Sequence, residues 1–321
     1  MSGPETSSDP GSVRDPGSVR DPGLVSHPGS DRPGSFHRPG FFLGSGSSPE
    51  GASAVVLGVP LDETTSFRSG TREGPGAIRA MSHALEEYSP ILDRELGGLR
   101  FYDAGDLLLP QGNLPASLRA VHTAAAGLAG QGLRLFTLGG EHLLTYPLVE
   151  LLAGLHPDLA VIHLDAHADL RDTYLGEPWS HATVMRRVAE RIGGENLYQL
   201  GVRSGSREEL AFSRDSCRPL PGDPREAARR AAEETAGRAL YVTVDIDVID
   251  PAFAPGTGAP EPGGLSPGEL FETLRAFDGA RIAGFDLVEV SPPHDHSGIT
   301  SLLAAKVLRE AILLFGGRYH K

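Results

Sequence analysis

Cysteine is nearly missing from this chain: its 321 residues contain one, Cys217, in the polar stretch SRDSCRPLPGD. A lone cysteine closes no internal disulfide, so the chain reads as a protein of a reducing cytoplasm. Nothing beside Cys217 in sequence would activate it as a nucleophile. Aromatic residues are scarce too, at 6%. No apolar run approaches the roughly 20 residues of a membrane-spanning helix, and the N-terminus lacks the basic start and apolar stretch of a secretory signal. Both absences are those expected of a soluble intracellular protein. Lysine and arginine number 29 against 42 aspartates and glutamates, for a formal net charge of -13, and form no cluster. Phosphate backbones are bound by basic stripes, so a nucleic-acid partner is excluded and a small neutral or cationic substrate is favoured.

Glycine and proline, in contrast, are plentiful at 41 and 26 residues, and they crowd the first fifty positions. Residues 9–26 repeat as DPGSVR, DPGSVR, DPGLVS. Glycine does not recur every third residue, which excludes a collagen strand. So few apolar side chains cannot offset the entropy of ordering. Residues 1–48 are therefore expected to be a disordered tail, leaving 49–321 as one domain.

From SAVVLGVP onward short apolar runs alternate with helical patterns. Strands are predicted over 53–58, 100–106, 133–139, 159–165, 196–202, 239–247 and 280–290, and helices over 74–88, 114–130, 145–155, 181–192, 223–237, 266–277 and 297–315. Ser266, Pro267 and Glu269 form a capping box with proline at the first helical position. Strands apolar on both faces and separated by helices imply a mostly parallel sheet covered on both sides, a three-layer α/β/α fold.

Polar residues of one kind gather at the ends of three of these strands. HLDAHADL places Asp165, His167 and Asp169 two residues apart, VTVDIDVIDP places Asp245 and Asp247 likewise, and LFTLGGEH presents Glu141 and His142. Strand side chains alternate faces, so each i, i+2 pair points the same way. In open parallel sheets the carboxyl ends of strands form the ligand crevice. Buried carboxylates without counter-charge are costly, and a cation resolves the conflict. Four aspartates and two histidines exceed one closed tetrahedral zinc site but suit two octahedral ions sharing carboxylates. Oxygen-rich ligation with some imidazole favours Mn²⁺. Such a pair makes a water nucleophilic near neutral pH, so the implied chemistry is hydrolysis.

GGEH, DAHADLRD, SHATVMRR, DIDVIDPAFAPGTGAPEPGG and DLVEVSP together resemble the ureohydrolase family of arginases and agmatinases, over residues 50–315. DLRDTYLGEPWSH is closer to the agmatinase branch. The resemblance implies an arginase-like fold, two Mn²⁺ per chain and release of urea from a small cationic guanidino substrate, with agmatine giving putrescine. By the same resemblance His142 and Asp169 bind one ion, His167 and Asp247 the other, and Asp165 and Asp245 bridge them. Glu289 matches the carboxylate that pairs with the guanidinium and His181 the histidine that shuttles protons; in the hydrolysis expected here, Asp169 passes a proton to the leaving amine. Relatives commonly form trimers or hexamers, so a cytoplasmic homo-oligomer is expected. Guanidinobutyrate, guanidinopropionate, formimidoylglutamate and arginine are alternative substrates, and a catalytically silent scaffold is an alternative role that the complete ligand set disfavours. Arg171 would suit a substrate carboxylate, which agmatine lacks.

Three positions depart from the family pattern. Glu141 replaces an aspartate and calls the support of His142 into question, Ala182 follows His181 where glycine or serine is common, and Ala259 replaces a threonine whose loss would cost roughly 1 kcal/mol of binding. His163 is read as a structural histidine under the site, His294 and His296 as loop-stabilising residues, and Asp250 with Pro251 as a turn.

Overall fold

The computed structural model describes residues 1–3 and 34–317. The six-residue repeat lies outside the described residues. The strands, in chain order, are β1 (Phe36–His37), β2 (Ala54–Val59), β3 (Tyr88–Ser89), β4 (Arg94–Glu95), β5 (Phe101–Leu107), β6 (Arg134–Gly139), β7 (Ala160–Leu164), β8 (Leu197–Leu200), β9 (Arg218–Pro219), β10 (Ala239–Asp245) and β11 (Arg281–Val288). Nine of them form one sheet in the order β1-β5-β2-β6-β11-β10-β7-β8-β9, and β3 pairs with β4 alone. Every ladder of the large sheet is parallel except β1 with β5.

The alternation of strand side chains sorts the core into two halves. On β7, Ala160, Ile162 and Leu164 pack on one face and Val161 on the other; on β10, Leu240, Val242 and Val244 oppose Ala239 and Tyr241. Helices α1 (Gly74–Ser82), α2 (Leu114–Ala129), α3 (Thr145–Leu155), α4 (Val184–Ile192), α5 (Arg207–Ser216), α6 (Pro224–Glu234), α7 (Pro267–Arg275) and α8 (Ile299–Phe315) connect the strands. Ile78 of α1, with α6, α7 and α8, covers the first face, while α2, α3 and α4 cover the second. The result is a three-layer α/β/α fold. No helix among the described residues is long and apolar enough to cross a membrane.

The structure differs from the sequence reading in several local features: the helix expected over 74–88 ends at Ser82, and β3, β4 and β9 were not expected. Residues 34–48 do not belong to a disordered tail: β1 pairs with β5, Phe42 is buried, and its N–H donates to Asp103 Oδ2 at 2.9 Å. A further difference is α5, which the apolar pattern does not announce. It begins with a capping box in which Ser206 Oγ accepts from Glu209 N at 3.2 Å and Glu209 Oε2 accepts from Ser206 N at 2.8 Å. The same device at Ser266 and Glu269 starts α7 as predicted.

Candidate metal centre and its pocket

Four neighbouring parallel strands, β6, β11, β10 and β7, end at the same edge of the sheet. Glu141 and His142 follow β6, Glu289 follows β11, Asp245 closes β10 with Asp247 two residues on, and Asp165, His167 and Asp169 follow β7. Gly140 allows the approach of β6 to its neighbours, because a Cβ there would lie 2.1 Å from the Leu61 carbonyl oxygen. Asp169 and Glu289 adopt left-handed backbone, with φ of 53° and 65°. That conformation costs a non-glycine residue on the order of 1 kcal/mol or more and persists only where surroundings enforce it. Here Asp169 O accepts from Met185 N and Arg186 N at 3.0 and 3.2 Å, and Glu289 N donates to Gly140 O at 2.9 Å.

The six ligand candidates converge. His142 Nδ1 lies 3.1 Å from Asp165 Oδ2, 3.2 Å from Asp169 Oδ2 and 3.5 Å from Asp245 Oδ2. His167 Nδ1 lies 2.9 Å from Asp247 Oδ2 and 3.6 Å from Asp165 Oδ1. Donor atoms fall into two groups, His142, His163, Asp165 and Asp169 in one and Asp165, His167 and Asp247 in the other, each within 4.8 Å. Asp165 is common to both. Asp245 approaches the first group through His142, while its Oδ1 accepts from Asp247 N at 2.8 Å.

The hydrogen bonds behind these groups decide which atoms face a metal. His142 Nε2 pairs with Thr243 Oγ1 at 2.9 Å, yet its Nδ1, wholly buried among three carboxylates, has no hydrogen-bond partner. A buried imidazole nitrogen orphaned amid acidic oxygens is what a divalent cation would satisfy, and the donor set fits one. His163 is different. Gln199 Oε1 accepts from Ser213 Oγ at 2.7 Å, which turns Gln199 Nε2 toward Ala168 O at 2.9 Å and His163 Nδ1 at 3.2 Å. The ring proton then sits on His163 Nε2, which meets Asp165 Oδ2 at 2.8 Å. His163 orients a ligand and has no nitrogen left to be one.

The side chains by themselves are short of positive charge. Burial, then Asp247 and Asp165, push the Asp245 carboxyl well above the usual range, and burial with Asp165 pushes Asp247 up as well. Burial opposes charging of His142, but the carboxylates of Asp165, Asp169 and Asp245 outweigh it and raise that ring well above its ordinary value. Against the same opposition Asp165 and Asp247 raise His167 to about 12. Such a cluster draws in protons or metal ions.

Beside it opens a cavity of about 420 Å³, lined among others by His181, Glu289, Ala259, Tyr174, Phe67 and Arg171. Glu289 Oε1 accepts from His142 N at 2.8 Å, and burial raises its carboxyl to about 8. Burial lowers His181. Arg171 pairs with the buried Glu209 at 3.4 Å and lies 5.2 Å over the Tyr174 ring. Ala182 and Ala259 line the same cavity. His294 is tied to Ser69 O at 3.2 Å, His296 is exposed and neither lines it, and Asp250 accepts from Ala252, Gly263 and Gly264 in a turn. Glu141 leaves the His142 ring to Thr243 and instead accepts from the N–H groups of Glu63 and Thr64 at 3.0 and 2.7 Å. Thr64, Thr243 and Gln199 are the residues that sequence reasoning missed. Common hydroxyl and amide side chains carry no spacing signature.

Residues 52–314 match the model of the Arginase family. The chain is 45% identical over 275 residues to an agmatinase of Bacillus anthracis, covering 85% of this chain and 95% of that protein. It is 37% identical over 278 residues to a guanidinobutyrase of Pseudomonas aeruginosa, covering 82% and 86%. The crystal structure of the agmatine ureohydrolase of Thermoplasma volcanium superposes with a TM-score of 0.78 at 31% identity, covering 85% of this chain and 93% of that one.

Proposed function

The chain belongs to the arginase family and is an amidinohydrolase; on that premise we propose that it uses two Mn²⁺ ions to cleave the guanidino group of agmatine, releasing urea and putrescine. One observation carries the two-ion reading: Asp165 offers one carboxylate oxygen to each of two ligand groups. In this reading His142 and Asp169 would hold one ion, His167 and Asp247 the other, and Asp165 and Asp245 would serve both. When bound, the ions supply a water acidic enough to attack at neutral pH.

The remaining steps fall to the chain's own side chains. Glu289 Oε1 is held by the His142 N–H, and Oε2 lies on the side of Gly258, where an added Cβ would come within 3.3 Å. A planar two-oxygen acceptor matches the planar donor fork of a guanidinium and holds its carbon for attack. Asp169 would pass to the leaving amine a proton released by the attacking water. His181, on the cavity wall, carries protons between the site and solvent.

Agmatine is favoured over guanidino acids because the cation at the rim is already engaged. Arg171, 40% exposed, is paired with Glu209 and stacked on Tyr174, so it does not stand ready for a substrate carboxylate. The reading carries with it a step of polyamine synthesis in the cytoplasm by a homo-oligomer, a trimer or hexamer. Metal analysis should find two manganese ions per chain, and urea release should show a higher kcat/KM for agmatine than for guanidinobutyrate or arginine. One ion per chain would sink the two-metal assignment, and preference for guanidinobutyrate would move the substrate to the guanidino acids.

A further inference from the structure

His181 is held from behind by two residues that do not line the cavity. Its backbone N–H donates to Thr64 Oγ1 at 3.0 Å, and its ring Nδ1 lies 3.3 Å from the same oxygen. A threonine hydroxyl has a single hydrogen to give. Glu141 Oε1, 2.9 Å away, accepts it. With that hydrogen committed, Thr64 Oγ1 can only accept from the ring, so the neutral imidazole keeps its proton on Nδ1 and leaves Nε2 bare.

Glu141 also fixes where Thr64 stands. It is fully buried, and its second oxygen takes the N–H groups of Glu63 and Thr64. The carboxylate thus grips Thr64 by backbone and by side chain, a span for which the extra methylene over aspartate gives reach. On the other side, the Tyr174 ring meets His181 edge-on at 5.6 Å, with its hydroxyl anchored to Ser66 Oγ at 3.1 Å.

We propose that Thr64 and Glu141 are positioning residues that set the His181 ring in its Nδ1–H tautomer and present Nε2 for proton transfer. This rests on the reading of His181 as the proton carrier. General acid–base groups contribute on the order of 100- to 10,000-fold, and a ring left free to turn forfeits part of that.

The test is urea-release kinetics on the manganese-loaded full chain, with metal content and melting temperature recorded for each variant. Thr64→Val should lower kcat by about tenfold to a hundredfold with KM within about twofold of the parent, and Thr64→Ser should restore most of the loss. Glu141→Gln, which keeps the side-chain size, should lower kcat in the same direction and serves if Thr64→Val folds poorly. In a His181→Ala background neither change should lower kcat further. Full kcat in Thr64→Val and Glu141→Gln, no rescue by serine, or losses that multiply with that of His181→Ala would overturn the positioning role. If His181→Ala alone keeps full kcat, the proton-carrier reading fails first and the positioning role goes with it.

Discussion

Two clusters of buried acids sit in this molecule, and they are neutralised in opposite ways. On the flank of the sheet, Arg79 is 2% exposed and donates to both oxygens of Asp103, at 2.8 and 2.9 Å, and also to Asp106. Asp103 in turn accepts from Phe42 N and Gly105 N, each at 2.9 Å. This cluster brings its own cation, and its bonds to Phe42 and Arg79 tie separate segments to β5. At the carboxyl ends of the central strands Asp165, Asp169, Asp245 and Asp247 face the imidazoles of His142, His163 and His167 in place of an arginine, and one of the ring nitrogens is orphaned. The first arrangement is complete as a piece of architecture; the second is complete only with charge from outside. Where a fold buries acids without supplying the base, the missing charge marks the place of chemistry.

The contrast can be broken most sharply at Asp165. Asp165→Asn removes the carboxylate shared by both ligand groups, so manganese content and urea release should fall to background together while the chain still folds in chelator. Retained urea release would refute the shared-ligand reading. At the other cluster the effect should land on stability. Arg79→Met leaves Asp103 and Asp106 without their cation, and breaking a buried ion pair in this way costs about 3–5 kcal/mol. Denaturant unfolding should show that loss, with kcat per folded molecule unchanged. A variant as stable as the parent would mean that the flank cluster contributes no more than a surface ion pair.

Legibility in the sequence follows the same division. The central strands are apolar on both faces and end in acids at i, i+2, so both the sheet and the convergence of Asp165, His167, Asp245 and Asp247 can be read from spacing alone. The edges cannot: β1 and β9 are two residues each, too short to show a period. The arm that carries Phe42 is as rich in glycine and proline as the repeat before it, and only the Phe41–Phe42 pair hints at an anchor. Helix α5 lacks a long apolar stripe, and its Ser206–Glu209 box was identified only in the folded chain. Thr64, on a loop, and Thr243, in β10, became visible only once distant parts of the chain were brought against Glu141 and His142. A hydroxyl acquires its role from which single hydrogen it has already given away.

The last expected effect is a loss of stability as pH rises in the metal-free chain. Without metal, His142 and His167 hold protons in the folded chain to well above their ordinary 6.5, the latter to about 12, because of the carboxylates around them. Their contribution is therefore fully present below pH 6.5 and is lost as pH rises toward the folded values, since the unfolded chain has already released those protons. Asp245, raised as well, acts in the same direction. Asp165 is held well below 3.8, because His163, His142 and His167 outweigh its burial, and its window lies in acid, outside this range. The chelated protein should then lose about 1.4 kcal/mol per pH unit for each extra proton held, between pH 7 and 8. Manganese affinity should move the other way, rising with pH as the ligands shed those protons. Urea unfolding in chelator at the two pH values measures the first slope, and His167→Asn should reduce it by one proton's worth. A chelated chain whose stability is flat or rises over that interval would show that the central acids are balanced from within, as those around Arg79 are.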